Sequence, residues 1–148
     1  MPSIPNPLRS KLCLNSTQIS GFEISKHPVF ITGSTEYIGS QVVAATLKAG
    51  YRVRLSIRMI EQESALRKRY PGFNTDIETV VISDLSNVDD FQKPLRGVDY
   101  IFHIASPMAG KGVGFRDGYV NAAVEGTLAV LNAAMIFKGS LFHQCYHW

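Results

Sequence analysis

The sequence predicts an α/β fold in which a parallel sheet is flanked by helices. Three observations carry that reading: short apolar or alternating runs recur along the chain, segments with helical spacing fall between them, and a glycine turn closes the first run. Strands alternating with helices at such intervals make βαβ units with right-handed crossovers. No internal repeat or low-complexity tract competes with this pattern.

The elements follow in order. Residues 1–27 have neither helical nor strand periodicity, and their Pro, Ser and Asn content predicts an irregular N-terminal extension. Val29-Phe30-Ile31 is an apolar run ending at Thr32-Gly33, the pattern of a strand buried on both faces. Ile38, Val42, Ala45 and Ala49 then recur at helical spacing, and Gly50 supplies the stop. Tyr51 to Ile57 alternates, with Val53, Leu55 and Ile57 on one face of a second strand. A charged helix from Glu61 to Tyr70, with Ala65 and Leu66 inside, is ended by Pro71-Gly72. Ile77 to Ile82 is a third strand, after which Ser86 or Asn87 caps a short helical turn holding Phe91 and Leu95. Val98 to Ile104 is a fourth strand. A glycine-rich loop follows, and then a helix from about Tyr119 to Met135 with Val120, Val124, Leu128, Leu131 and Met135 on one stripe. The dinucleotide-type unit is thus expected over 28–135, with a divergent tail over 136–148.

Composition narrows the function classes. A chain of 148 residues that is 45% hydrophobic is one domain with a core. The net charge of +3 is mildly basic, and much of the excess lies in Arg52/Arg54/Arg58 and Arg67-Lys68-Arg69, neither a long basic run. That argues against a nucleic-acid partner. No stretch approaches the roughly eighteen apolar residues of a membrane span, and the first thirty residues lack a secretory layout, so no membrane partner is expected. Cys13 and Cys145 sit at opposite ends without a CxxC, and a reduced cytoplasmic setting follows.

In such a sheet the ligand sits at the carboxyl ends of the strands, and the first strand-to-helix turn carries the phosphate site. Backbone donors and the positive end of a helix dipole converge there. In TGSTEYIG, Gly33 makes the tight turn and Gly39 lets the helix pack on the strand, but Glu36 stands where a glycine is expected. If that position needs positive φ, a non-glycine residue costs about 1 kcal/mol. A carboxylate about 5 Å from a phosphate charge adds about 3 kcal/mol of repulsion at an effective dielectric near 20. Arg58 lies about 20 residues beyond Gly39, where an arginine suits a ribose 2′-phosphate, and favours NADP. Asp84 closes the third strand, where its carboxylate is placed to accept from an adenine amino group; a turn aspartate is the other reading.

With these residues in place the chain resembles the extended short-chain dehydrogenase/reductase family, the NAD(P)-dependent epimerase/dehydratase group. It looks most like the dihydroflavonol and cinnamoyl-CoA reductase-like ketone and aldehyde reductases. The resemblance rests on VFITGSTEYIGSQVVAATLKAGYRVRLSIR, the DL of ISDL, LRGVDYIFHIASP and VEGTLAVLNAA, in that order over about 29 to 134. It implies a Rossmann-like doubly wound parallel sheet, here the N-terminal half only, of about four strands in the order 3-2-1-4. It also implies pyrophosphate contacts from Gly33, Thr35, Tyr37, Ile38 and Gly39, and a 2′-phosphate contact from Arg58. Asp84 and Leu85 would meet adenine, with Ala105 and Ser106 beside the ribose and nicotinamide. NADP is the implied cofactor, with NAD possible. His103, on the apolar fourth strand, reads as a packing residue with a satisfied ring nitrogen rather than a base.

Hydride transfer in the family needs a Ser and a Tyr-x-x-x-Lys pair, the lysine lowering the phenol pKa for proton transfer. Four positions after Tyr37, Tyr51, Tyr70, Tyr100 and Tyr119 stand Gln41, Leu55, Asn74, Ile104 and Ala123, and Tyr146 has no fourth residue. No catalytic residue is therefore assigned. After Ala134 the motif match gives way to MIFKGSLFHQCYHW, as in a truncated product. His143, Cys145 and His147 alternate but lack the partners of a zinc site, so no metal is expected. The expectation is an NAD(P)-binding fragment of a CH-OH oxidoreductase, inactive alone. Its rivals are a non-catalytic module that pairs through an open sheet edge with a full-length homologue or a second copy, and a remnant of a nucleotide-sugar epimerase or dehydratase.

Overall fold

A computed structural model describes residues 27–107 and 119–138 of the chain. Four parallel strands, β1 (Val29–Thr32), β2 (Val53–Ile57), β3 (Ile77–Val81) and β4 (Tyr100–His103), form one sheet in the order β3-β2-β1-β4. Helices α1 (Tyr37–Lys48), α2 (Gln62–Arg69) and α3 (Asn121–Lys138) and a 3-10 turn at Val88–Phe91 connect or follow them. This is the Rossmann-like half sheet that the alternation and the family resemblance predict.

The continuous apolar run of β1 is explained by two cores, one on each face of the sheet. Val29 and Ile31 join Val43, Leu47, Val53, Leu55, Ile57 and Leu66 under α1 and α2. Phe30 points the other way, into Phe91, Leu95, Val98, Ile101, Ala129, Val130 and Ala133. Its ring meets Phe91 edge-on, centroids 6.2 Å apart. β2 alternates because only one of its faces meets helices. On the other, Arg54 binds the Glu78 carboxylate at 2.8 Å and donates to the Pro94 and Arg96 carbonyls at 2.6 and 2.9 Å. That guanidinium ties β2, β3 and the segment before β4 together.

Both long helices pack on a face one residue away from the predicted stripe. In α1 the buried residues are Gly39, Ser40, Val43, Thr46 and Leu47, whereas Ile38 is 51% exposed and Ala45 and Ala49 are exposed. In α3 the buried residues are Gly126, Ala129, Val130, Ala133 and Ala134, while Val124 and Leu128 are each 50% exposed and Val120 and Met135 lie outward too. In α3 the buried face is mostly glycine and alanine, which lets the helix approach closely, whereas α1 buries Val43 and Leu47 and leaves the smaller Ala45 and Ala49 outside. In α2, Leu66 is buried as expected, but Ala65 is exposed. Residues 136–138, read as tail from the sequence, continue α3. The N-terminal extension to residue 26, Cys13, the loop at 108–118 and His143, Cys145 and His147 lie outside the described residues.

Candidate cofactor site

The turn after β1 is built by backbone against backbone. Gly33 has φ +71°, and a Cβ there would come within 2.6 Å of the Ala105 amide nitrogen. A Cβ on Gly39 would run into the Gly33 carbonyl group, its carbon only 2.7 Å away. Both glycines are therefore required by space, and Gly33 by its dihedral as well. The first turn of α1 closes with the Ser40 amide donating to the Glu36 carbonyl at 2.9 Å. The amides of Tyr37, Ile38 and Gly39 are consequently those without an intrahelical acceptor, at the positive end of the dipole.

Glu36 behaves differently from the expectation. It occupies the N-cap with φ −79° and ψ 168°, ordinary extended backbone, so the left-handed strain considered for it does not arise. Its side chain makes no cap hydrogen bond and is exposed. What remains of the penalty is charge.

Two adjoining clefts open at the carboxyl ends of the strands. The smaller, about 30 Å³, is lined by Gly33, Thr35, Glu36, Arg58, Ala105 and Ser106 among others. The larger, about 280 Å³, runs from Arg58, Asp84 and Leu85 past Ala105 and Ser106 to Ala123 and Gly126 of α3. Most of the residues singled out from the sequence thus converge. Tyr37 and Ile38 line neither of these two clefts, and their side chains are 82% and 51% exposed. Gly39 serves by contact with Gly33.

Individual side chains are held by identifiable partners. Arg58, exposed just past β2, has its backbone amide accepted by the Gln62 side chain at 2.9 Å. Asp84 Oδ1 accepts from the Ser86 hydroxyl at 2.7 Å and the Ser86 amide at 2.9 Å, and those bonds hold its pKa below the usual value. Half of this carboxylate is therefore a turn-former, and Oδ2 makes no hydrogen bond among the described residues. Leu85 packs against the second core.

Sequence reasoning missed Thr32 as a site residue. It is fully buried, and its Oγ1 accepts from the Ile104 and Ala105 amides at 3.2 and 3.3 Å while meeting His103 Nδ1 at 2.7 Å. One hydroxyl thereby fixes the end of β4 against β1. The sequence marks it only as a threonine ending an apolar strand before the turn glycine, which does not disclose these partners. Ser34 was missed as well: buried, it donates to the Ser56 carbonyl at 3.2 Å and anchors the turn to β2.

A parallel sheet with a glycine turn, a free helix N-terminus and a cleft crossing the strand ends defines a dinucleotide-binding α/β unit. The match to known proteins is specific: the chain belongs to the NAD dependent epimerase/dehydratase family, matched over residues 29–145, some way past the last sequence motif at Ala134. Over 111 residues it is 39% identical to an uncharacterised oxidoreductase of Schizosaccharomyces pombe, covering 74% of this chain and 33% of that protein. It is 37% identical over 109 residues to a ketoreductase of Aspergillus fumigatus, with coverage of 73% and 32%. It is 30% identical over 112 residues to dihydroflavonol 4-reductase of Hordeum vulgare, with coverage of 74% and 31%. Among solved structures, yeast methylglyoxal/isovaleraldehyde reductase complexed with NADPH superposes with a TM-score of 0.67 at 26% identity, covering 74% of this chain and 33% of that one. The chain spans about a third of the length of these relatives. No helix among the described residues is long and apolar enough to cross a membrane.

Proposed function

We propose that this chain is the dinucleotide-holding part of a CH-OH oxidoreductase of the ketone or aldehyde reductase type, that it takes NADP in preference to NAD, and that it does not turn over by itself. The observation that carries the proposal is Arg58, which borders both clefts at the end of β2. A guanidinium there suits a 2′-phosphate, whereas an acid would suit the free 2′-hydroxyl of NAD. The turn suits the group too: Gly33 and Gly39 allow the backbone contacts that hold the turn at the head of α1, and the amides of Tyr37, Ile38 and Gly39 offer donors for a phosphate. Thr35 borders the same cleft, Asp84 and Leu85 would meet adenine, and Ala105 and Ser106 the ribose. When bound, the nicotinamide supplies a hydride donor or acceptor. The 148 residues hold no Tyr-x-x-x-Lys to manage the accompanying proton. A reduced cytoplasmic setting suits such a chain.

Titration of the purified chain with NADP and NAD tests this, alongside Arg58→Ala and Glu36→Gly. NADP should bind more tightly, and Arg58→Ala should erase the difference. Undetectable binding of both dinucleotides to both the unaltered chain and Glu36→Gly would remove the cofactor reading. NADPH oxidation with a ketone by the chain alone would remove the claim of inactivity.

A second reading is favoured by the outer face of α3. Val124, Leu128, Met135 and Ile136 are at least half exposed, and among the described residues β4 is an edge strand. An interaction module that pairs there with a full-length homologue or a second copy would cover them. Co-purification with a full-length reductase, or concentration-dependent dimerisation, is its measurement.

A further inference from the structure

The hydrogen-bond inventory around Thr32 determines the state of His103. A hydroxyl has two acceptor sites and one proton. The Ile104 and Ala105 amides take both acceptor sites of Thr32 Oγ1. The contact to His103 Nδ1 at 2.7 Å must therefore be made by the threonine proton, and Nδ1 is its acceptor. In a neutral imidazole the ring proton then sits on Nε2. Packing accounts for one nitrogen of this ring and leaves the other to be explained.

That other nitrogen is accessible. His103 borders the larger cleft, opposite Ala123 and Gly126 of α3. Among the described residues no buried side-chain nitrogen or oxygen lacks a partner, and no second bond is made by this ring, so Nε2 reaches the cleft rather than ending against protein. The cleft, at about 280 Å³, admits a nucleoside-sized group, while the 30 Å³ space beside the turn does not. Asp84, bordering the same cleft, offers an acceptor, and His103 offers a donor.

We propose that His103 is a nucleotide-binding residue, its Nε2–H donating to an uncharged acceptor on the adenosine half of the dinucleotide, with Thr32 as the positioning residue that fixes the tautomer. This rests on the cofactor reading above. The acceptor is uncharged because a phosphate would draw a second proton onto the ring, and a doubly protonated ring would press Nδ1–H against a hydroxyl whose lone pairs are both in use. A ring nitrogen of adenine or an oxygen of its ribose has the required chemistry.

Two measurements on the full chain test it. Long-range ¹H–¹⁵N spectra of the histidine rings, read between pH 7 and 8, should place the His103 proton on Nε2 and should move that resonance when 2′,5′-ADP is added; this arm needs no altered protein. Titration with 2′,5′-ADP should weaken about tenfold in His103→Phe and recover most of the loss in His103→Gln, whose amide N–H lies near the position of Nε2–H. A ring proton on Nδ1, a resonance unmoved at saturation, or full affinity in a folded His103→Phe overturns the role of His103 while the cofactor reading stands. Failure of the unaltered chain to bind either NADP or 2′,5′-ADP overturns both.

Discussion

Alanine at Gly39 is the sharpest test of the turn, because the same substitution has opposite expected signs at two helical glycines. In an open helix, Gly→Ala stabilises by about 1 kcal/mol through backbone entropy. At Gly126 of α3 the new Cβ would meet only Leu85, its Cβ at 3.8 Å and its carbonyl oxygen at 4.0 Å, which is ordinary contact. Gly126→Ala should therefore gain about 1 kcal/mol. At Gly39 the Cβ would strike the Gly33 carbonyl group, with its carbon at 2.7 Å and Ser34 Cα at 3.1 Å. These are backbone atoms and no rotamer change relieves them. Overpacking costs about 1 to 3 kcal/mol, and a rigid backbone partner puts this site near the top of that range. Subtracting the propensity gain leaves a net loss of about 2 kcal/mol, or about 8 °C in Tm for a domain of this size. Urea unfolding followed by circular dichroism would measure both variants, with equal m-values as the check that only stability has changed. A Gly39→Ala protein as stable as the unaltered chain would refute the contact on which the turn is built.

Three further outcomes are expected. Because Glu36 sits at φ −79°, replacing it relieves charge and not strain, so Glu36→Gln should raise NADP affinity nearly as much as Glu36→Gly. Exposure discounts the gain to about tenfold or less, and titrations in 1 M salt should abolish it; a gain seen only with glycine would point to steric approach instead. Burial pushes the His103 pKa below its usual value, so below about pH 6.5 the unfolded chain binds the extra proton first. Stability should then fall as pH drops from 7 toward 5, and His103→Gln should flatten that slope in pH-dependent denaturation. The Tyr70 hydroxyl donates to the Ser40 carbonyl at 3.0 Å in a buried site, so Tyr70→Phe should cost about 1 to 2 kcal/mol in the same assay.

The strands were legible because burial on two faces leaves a direct mark. Val29-Phe30-Ile31 has no polar residue, and the pattern of β2 records its single helical face. Helix existence was legible too, but helix orientation was not. Periodicity ranks residues by apolarity, so it selected Ile38 and Val42, or Val124 and Leu128, while the buried face carries Gly39, Val43 and Leu47, or Gly126, Ala129 and Ala133. The order 3-2-1-4 came from the family resemblance, since crossover handedness alone does not choose it. At the site, positions were readable: Gly33 at its turn, and Arg58 at a strand end that borders both clefts. Thr32 was not, because its importance lies in three bonds to residues about seventy positions away that only the fold brings near.

The contact between Gly33 and Gly39 has one more consequence. Together with the Ser34 hydroxyl bond to β2 it sets the path of the loop, so Thr35 to Ile38 inherit a shape rather than create one. Glu36 can then stand exposed at the head of α1 and leave the fold intact. The shape of the turn and the acidic side chain at its mouth are set by separate residues, so Glu36 is open to substitution without disturbing the Gly33–Gly39 contact.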